Sequence, residues 1–229
     1  MEGVARFARI ILIATLVVVA LIAIGIGILW LLATRTPDFY VKKLPLDQTA
    51  AKKASDQFLQ KTSLFASDLK REGTWYLKVT EEEINGWLAT DLPRNHPQAL
   101  PDGVSDPRIE ISDDVIRVAA KVRYGLVSGV AYIELKVYCS ETNTVTVTVR
   151  RAALGALPLP LQGFIEQLKG IAVQADWDVR QMQSEGLPTL VISIPRALDN
   201  KGREFELANL HVSQGQVELS GKVKQRKRG

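Results

Sequence analysis

The chain has 229 residues, with 29 Lys/Arg, 25 Asp/Glu and a single cysteine, Cys139. No intramolecular disulfide can form, so the fold must rest on a hydrophobic core. The formal charge of +4 is uneven: Thr36 to Gly221 hold 21 Lys/Arg against 24 Asp/Glu, while Lys222, Lys224, Arg226, Lys227 and Arg228 crowd the last eight residues. A mildly acidic body argues against a nucleic-acid-binding domain, whose basic stripe would lie on the fold itself.

Residues 10–33 contain no charged side chain. A helix of that length reaches roughly 36 Å, enough to cross a hydrocarbon layer of ~30 Å with some tilt. Trp30, Phe39 and Tyr40 flank one end and Phe7 the other, as interfacial aromatics do. The apolar run exceeds the core of about 7 to 15 residues of a cleaved signal peptide, so the reading is an uncleaved anchor. Arg6 and Arg9 on one side and Arg35, Lys42 and Lys43 on the other leave the positive-inside count undecided. The commoner arrangement for an N-terminal anchor is expected: a cytoplasmic stub at 1–9, a transmembrane helix at 10–33, an extended linker at 34–45, an extracytoplasmic domain at 46–221 and a basic tail at 222–229.

Ala51, Ala54, Phe58, Phe65 and Leu69 recur on one face of a helix from about 46 to 71, with Asp47 as its cap. A short strand at 75–79 leads into Thr80-Glu-Glu-Glu83, a capping box, and a helix to about Ala89 burying Ile84, Trp87 and Leu88. Four prolines (Pro93, Pro97, Pro101, Pro107) mark 91–107 as a long loop. From Arg108 the period becomes two. After a short strand at Ile109 and Ile111 come three long alternating strands: Ile116 to Tyr124, Ala131 to Cys139 and Val145 to Val149. Together they predict an antiparallel meander with one clean apolar face. Pro160 opens a helix bearing Leu161, Phe164, Ile165 and Leu168. Strands follow around 177–180 and at Leu190, Ile192 and Ile194. A hairpin of 204–212 with 216–223 closes the chain.

The chemistry inventory is nearly empty. His96 and His211 stand far apart, neither in a metal-ligand spacing, and no nucleophile elbow, Walker A or H-E-x-x-H occurs. Asp176 and Asp178 could share one strand face, where paired carboxylates do acid/base work, but a solvated edge is the simpler reading. Cys139 reads as a buried small hydrophobe on its strand. No catalysis, metal or cofactor is expected.

Three stretches resemble a known family: VTEEEINGWLATDLP (Val79 to Pro93), DDVIRVAAKVRYGL with VAYIELKVY, and GALPLPLQGFIEQL (Gly155 to Leu168). They look like the YpmS-type and LmeA-type membrane-anchored or exported proteins, which are similar to the TULIP (tubular lipid-binding) superfamily. The resemblance implies an α+β fold in which a curved antiparallel sheet wraps a long helix around an apolar groove. Asn85 stands where the family has its helix Asn, with a structural hydrogen bond as its expected role. On this reading Val118, Val122, Ile133, Leu135, Val137, Val145, Val147, Phe164, Leu168, Ile192 and Ile194 line a groove for lipid acyl chains beside the membrane. The basic residues Lys222, Lys224, Arg226, Lys227 and Arg228 would contact anionic headgroups, at ~1 kcal/mol each near the surface. The same apolar residues would equally build a closed core. The alternative is therefore an envelope scaffold that recognises a protein partner through the 91–107 loop or a sheet edge.

Overall fold

A computed structural model describes residues 21–25, 27–42, 47–125, 127–196 and 202–225. The first half of the expected transmembrane run, the stub, and Arg226, Lys227 and Arg228 lie outside the described residues. The fold is α+β with antiparallel strand pairing throughout. An apolar helix, α1, is helical at 21–25 and 27–34, and the segment Leu21–Lys42 is long and apolar enough to cross a membrane. Then follow α2 (Asp38–Lys42), α3 (Gln48–Asp68), β1 (Gly73–Thr80), α4 (Glu81–Asn95), a 3₁₀ turn (Pro97–Ala99), β2 (Val104–Ser112), β3 (Val115–Tyr124), β4 (Val127–Glu141) and β5 (Thr144–Leu154). The chain continues through β6 (Leu157–Pro158), α5 (Leu161–Gln174), β7 (Asp178–Ser184), β8 (Leu187–Ser193), β9 (Arg203–Ser213) and β10 (Gln216–Gln225).

The expected meander is the body of a large sheet ordered β2-β3-β4-β5-β8-β7, with the short β6 pairing to β5. A smaller sheet, β1-β10-β9, is built from the closing hairpin and the first strand. One irregularity in the large sheet protects its core. Leu135 pairs with Val149 but Glu134 pairs with Arg151, so Arg150 is an extra residue in β5. This bulge keeps Val149 and Ala152 on the same face, although strict alternation would turn Ala152 outward. Both are buried.

The helices form where the side chains predicted them, with two differences. Asp47 caps α3 by accepting from the Thr49 and Ala50 amides, and the Thr80–Glu83 capping box opens α4. The two helices cross at Gly86, where a Cβ would lie 2.7 Å from the Ala51 carbonyl oxygen and the Ala54 Cβ. The small residues of α3 thus serve a helix–helix crossing, while Phe65 and Leu69, nearer its end, pack against a cluster around Trp75 of β1. The first difference is that α4 runs through Pro93 to Asn95 rather than ending at Ala89. Asn95 donates to the Asp91 carboxylate (2.6 Å) and His96 N–H to the Leu92 carbonyl (2.9 Å), so the last turn holds despite the missing proline donor. The second is that the segment expected as an extended linker carries α2, whose Tyr40 is completely buried.

Asn143 joins the two sheets. It sits in the left-handed region (φ 61°) at the β4–β5 turn and is buried. Its backbone N–H donates to the Leu207 carbonyl, and its own carbonyl accepts from Ile194 N–H. The side-chain amide donates to the Ile194 and Phe205 carbonyls and accepts from Leu207 N–H at 2.7 Å. Truncation would orphan these groups in an interior where each costs about 1–3 kcal/mol. Asn143→Ala is expected to lower stability by about 2–4 kcal/mol, because several such bonds are lost together. Urea unfolding checks this, and a midpoint equal to that of the parent would contradict it.

Candidate functional site

The apolar face named from the sequence is one continuous face of the large sheet. Cross-strand pairing aligns Val118 with Ile133, Ile133 with Ala152, Ile116 with Leu135, Val147 with Leu190, and Val145 with Ile192. Its burial falls into three zones. At the β4–β5 turn, Cys139, Val145 and Ile194 pack against the Trp75, Leu207 and Val223 cluster of the small sheet. In the middle, α5 lays Ile165 on Val149 and Leu190, with Ile133, Leu135, Leu161, Leu168 and Ile192 around them. Toward the other end Val118 is 36% exposed and Val122 half-buried.

Dimensions explain the gradient. A helix with its side chains is about 10–12 Å across and strands lie about 4.8 Å apart, so one helix covers two or three strands. The main contacts of α5 are with β5, β7 and β8. That leaves the β3 side of the face outside the main contacts of α5. Of the eleven residues expected to line the groove, only Val147 is buried; Val122, Ile133, Leu135, Val137, Val145, Phe164, Leu168, Ile192 and Ile194 are half-buried. On α5 itself Ile171 (64% exposed) lies seven residues beyond Phe164, on the same flank. The apolar face therefore extends past the cores that use it.

The opposite face carries α2, the short helix that follows α1. Tyr40 of α2 joins Ala119, Val130, Tyr132 and Ala153 in a buried cluster, and its hydroxyl donates to the Asp106 carbonyl at 2.8 Å. Phe39 meets Tyr132 edge-on at 5.6 Å, with the Arg117 guanidinium 5.9 Å from the Phe39 ring centre. Arg117 is held by Glu110 (2.6 Å) and Glu134 (3.0 Å), and the bond to Glu110 is the main cause raising its pKa. The end of α1 is seated directly on the sheet. Ala156 N–H donates to the Leu32 carbonyl at 2.8 Å, satisfying one of the acceptors a helix terminus leaves over. A Cβ at Gly155 (φ +58°) would meet the Leu32, Ala33 and Arg35 carbonyl oxygens, and one at Gly129 would meet that of Ala33. Phe39 and Tyr40, expected as interfacial aromatics, are packing residues; nothing in their local pattern distinguishes the two roles.

Helix α4 closes the edge of the large sheet. Asn85 donates to the Ile109 carbonyl (2.7 Å) and accepts from its N–H (2.8 Å), imitating a neighbouring strand. The buried Glu81 carboxylate accepts from Ile111 N–H at 2.7 Å. The structural role expected for Asn85 is the one it has.

The remaining candidates are dispersed. Lys222 and Lys224 lie in β10 rather than in a tail, and both pair with Glu206 (3.1 and 2.6 Å). The bond from Lys224 is the first cause lowering the Glu206 pKa. Asp178 pairs loosely with Arg180 (3.7 Å) on an exposed strand, while Asp176 sits in the preceding turn, so the two do not share a strand face. His96 lies 3.7 Å from Asp91, and His211 is exposed on β9. Among the described residues no three His, Cys, Asp or Glu side chains stand together as a metal site. No family model, curated protein or solved structure matches the chain.

Two outcomes are expected from this geometry. Gly155→Val forces a side chain among the α1 carbonyls and should speed tryptic cleavage after Arg35 several-fold in the detergent-solubilised chain. Equal rates would mean that the seat does not depend on this contact. Burial pushes the Cys139 thiol up, and the Sγ lies 3.0 Å from the Glu141 carbonyl. Its alkylation by iodoacetamide at pH 7 should be slower than that of free cysteine, rising only above the ordinary thiol range. Fast labelling at pH 7 would refute it.

Proposed function

We propose that the chain is a single-pass membrane protein whose domain, outside the cytoplasm, receives lipid acyl chains along the inner face of the large sheet, without catalysis. The observation that carries this reading is the incomplete burial of that face: one long row of apolar side chains, filled at one end and in the middle, and uncovered toward the other end around Val118. The resemblance to tubular lipid-binding proteins points the same way. So does α1, whose Leu21, Ile22, Ile24, Ile28, Leu29, Trp30 and Leu31 are all more than half exposed. An apolar helix this exposed needs an apolar solvent.

The seat of α1 adds direction. Gly129, under the end of α1, pairs with Val122, so the less buried end of the apolar face begins beside the membrane helix. A chain leaving the bilayer there would meet Val122, then Val118 and Ile133. An acyl chain is already out of water in the bilayer, so the gain comes from the protein. Covering its apolar surface returns about 25 cal/mol per Å² removed from water.

The test uses the full chain in vesicles containing a phospholipid with a photoreactive group near the acyl terminus. Crosslinks are expected in the peptides of β3 and β4 and in α5 as well as in α1. Val118→Asp, a substitution at a partly exposed site, should reduce the β3 crosslinks at least fivefold while those in α1 persist. Crosslinks confined to α1 would refute the groove.

A further inference from the structure

A second site lies outside the inner face, between the end of α4 and the start of β2. A cavity of about 350 Å³ opens there, walled by Leu88, Leu92 and Leu100, with His96 also on its lining. This is the low end of the range for small-ligand sites, about 300–1,000 Å³, and Asp102, Ser105 and Asp106 complete a lining that is part apolar and part polar. Arg108 also lines it. This arginine is 7% exposed, and among the described residues its side chain makes one hydrogen bond, from Nη1 to the carbonyl of the preceding residue, Pro107 (2.7 Å). Its Nε is buried with no partner among the described residues.

A guanidinium cannot shed its proton, and burying one without a counter-charge is costly. Among the described residues no carboxylate is within ion-pair distance of Arg108. Asp106, the nearest candidate in sequence, is held by Lys121 at 2.7 Å. With Nη1 occupied, the free edge is Nε with Nη2. That edge presents two parallel N–H groups and matches a carboxylate or phosphate in bidentate fashion. The Glu and Asp side chains that serve Arg117 and Lys121 on the same face show how its neighbours are neutralised. Arg108 is left for a group from outside.

We infer that this cavity binds a small amphiphilic oxyanion, its phosphate or carboxylate head on the Nε–Nη2 edge of Arg108 and its apolar body against Leu88, Leu92 and Leu100. The site is independent of the groove proposed above.

Isothermal titration of the full chain in an uncharged maltoside detergent tests this, with hexyl phosphate, hexanoate and inorganic phosphate as probes and empty micelles as blank. One saturable site is expected for at least one amphiphile, weakened at least tenfold by Arg108→Gln. Leu100→Trp, which narrows the cavity without touching the charge, should weaken it similarly and decides the matter if Arg108→Gln does not fold. Inorganic phosphate binding as tightly as hexyl phosphate would identify a free oxyanion as the ligand; weaker binding would identify an anionic amphiphile. No saturable binding by any probe overturns the inference. So does binding undiminished in folded Arg108→Gln or, failing that protein, in Leu100→Trp.

Discussion

The two sheets share no strand, and what couples them most closely is the buried amide of Asn143 with the aromatic cluster beside it. In that low-dielectric setting a fully satisfied amide is rigid, because every small displacement leaves a donor or acceptor unpaired. Asn143 reaches the end of β8 through Ile194 and the strand β9 through Phe205 and Leu207. The stacked pair Trp75 and Phe205, ring centres 5.1 Å apart, fills the space alongside. Once this corner is fixed, Cys139, Val145 and Ile194 are committed to core. The rest of the inner face is left to α5.

That division follows from widths. A single amphipathic helix cannot cover six strands, and among the described residues α5 is the helix laid along the middle of this face. The second large helix pair, α3 with α4, crosses elsewhere, and the end of α3 adds Phe65 and Leu69 to the Trp75 cluster. Gly86 lets the two helices approach closely, and α4 then uses Asn85 and Glu81 to cap the exposed amides and carbonyls of β2. Covering a sheet edge removes a template for pairing with another chain. The same choice brings the end of α4 over the start of β2 and encloses the cavity beside Arg108.

The junction at 32–40 changes how the domain sits on its helix. An extended linker would leave the domain free to tumble above a membrane surface. Instead the last carbonyls of α1 rest on Gly129 and Gly155, and Tyr40 and Phe39 lock α2 onto the outer face. Only glycine fits at 155, where both the positive φ and the three crowding carbonyls exclude a side chain. The orientation of the sheet relative to the apolar helix is thereby part of the fold.

Much of this was legible in the residues. The alternation from Ile116 to Val149 specified the meander, because side chains on a pleated strand point alternately to its two faces. Asp47 and Thr80-Glu-Glu-Glu83 marked two helix starts through local hydrogen bonds that need no distant partner. An uncharged run of helical length marked the apolar helix. What the residues could not disclose depends on partners far away in sequence. Tyr40 reads as an interfacial aromatic until Ala119, Tyr132 and Ala153 surround it, and Asn143 reads as a turn residue until Ile194 and Leu207 arrive. Arg108 reads as an ordinary strand cation until α4 folds over it. The sequence by itself determined which faces are apolar and where elements begin, since periodicity and capping are local. Only the tertiary structure decided which part of the apolar face is consumed as core and which charge is left without a partner, because both depend on where a helix of fixed width comes to rest.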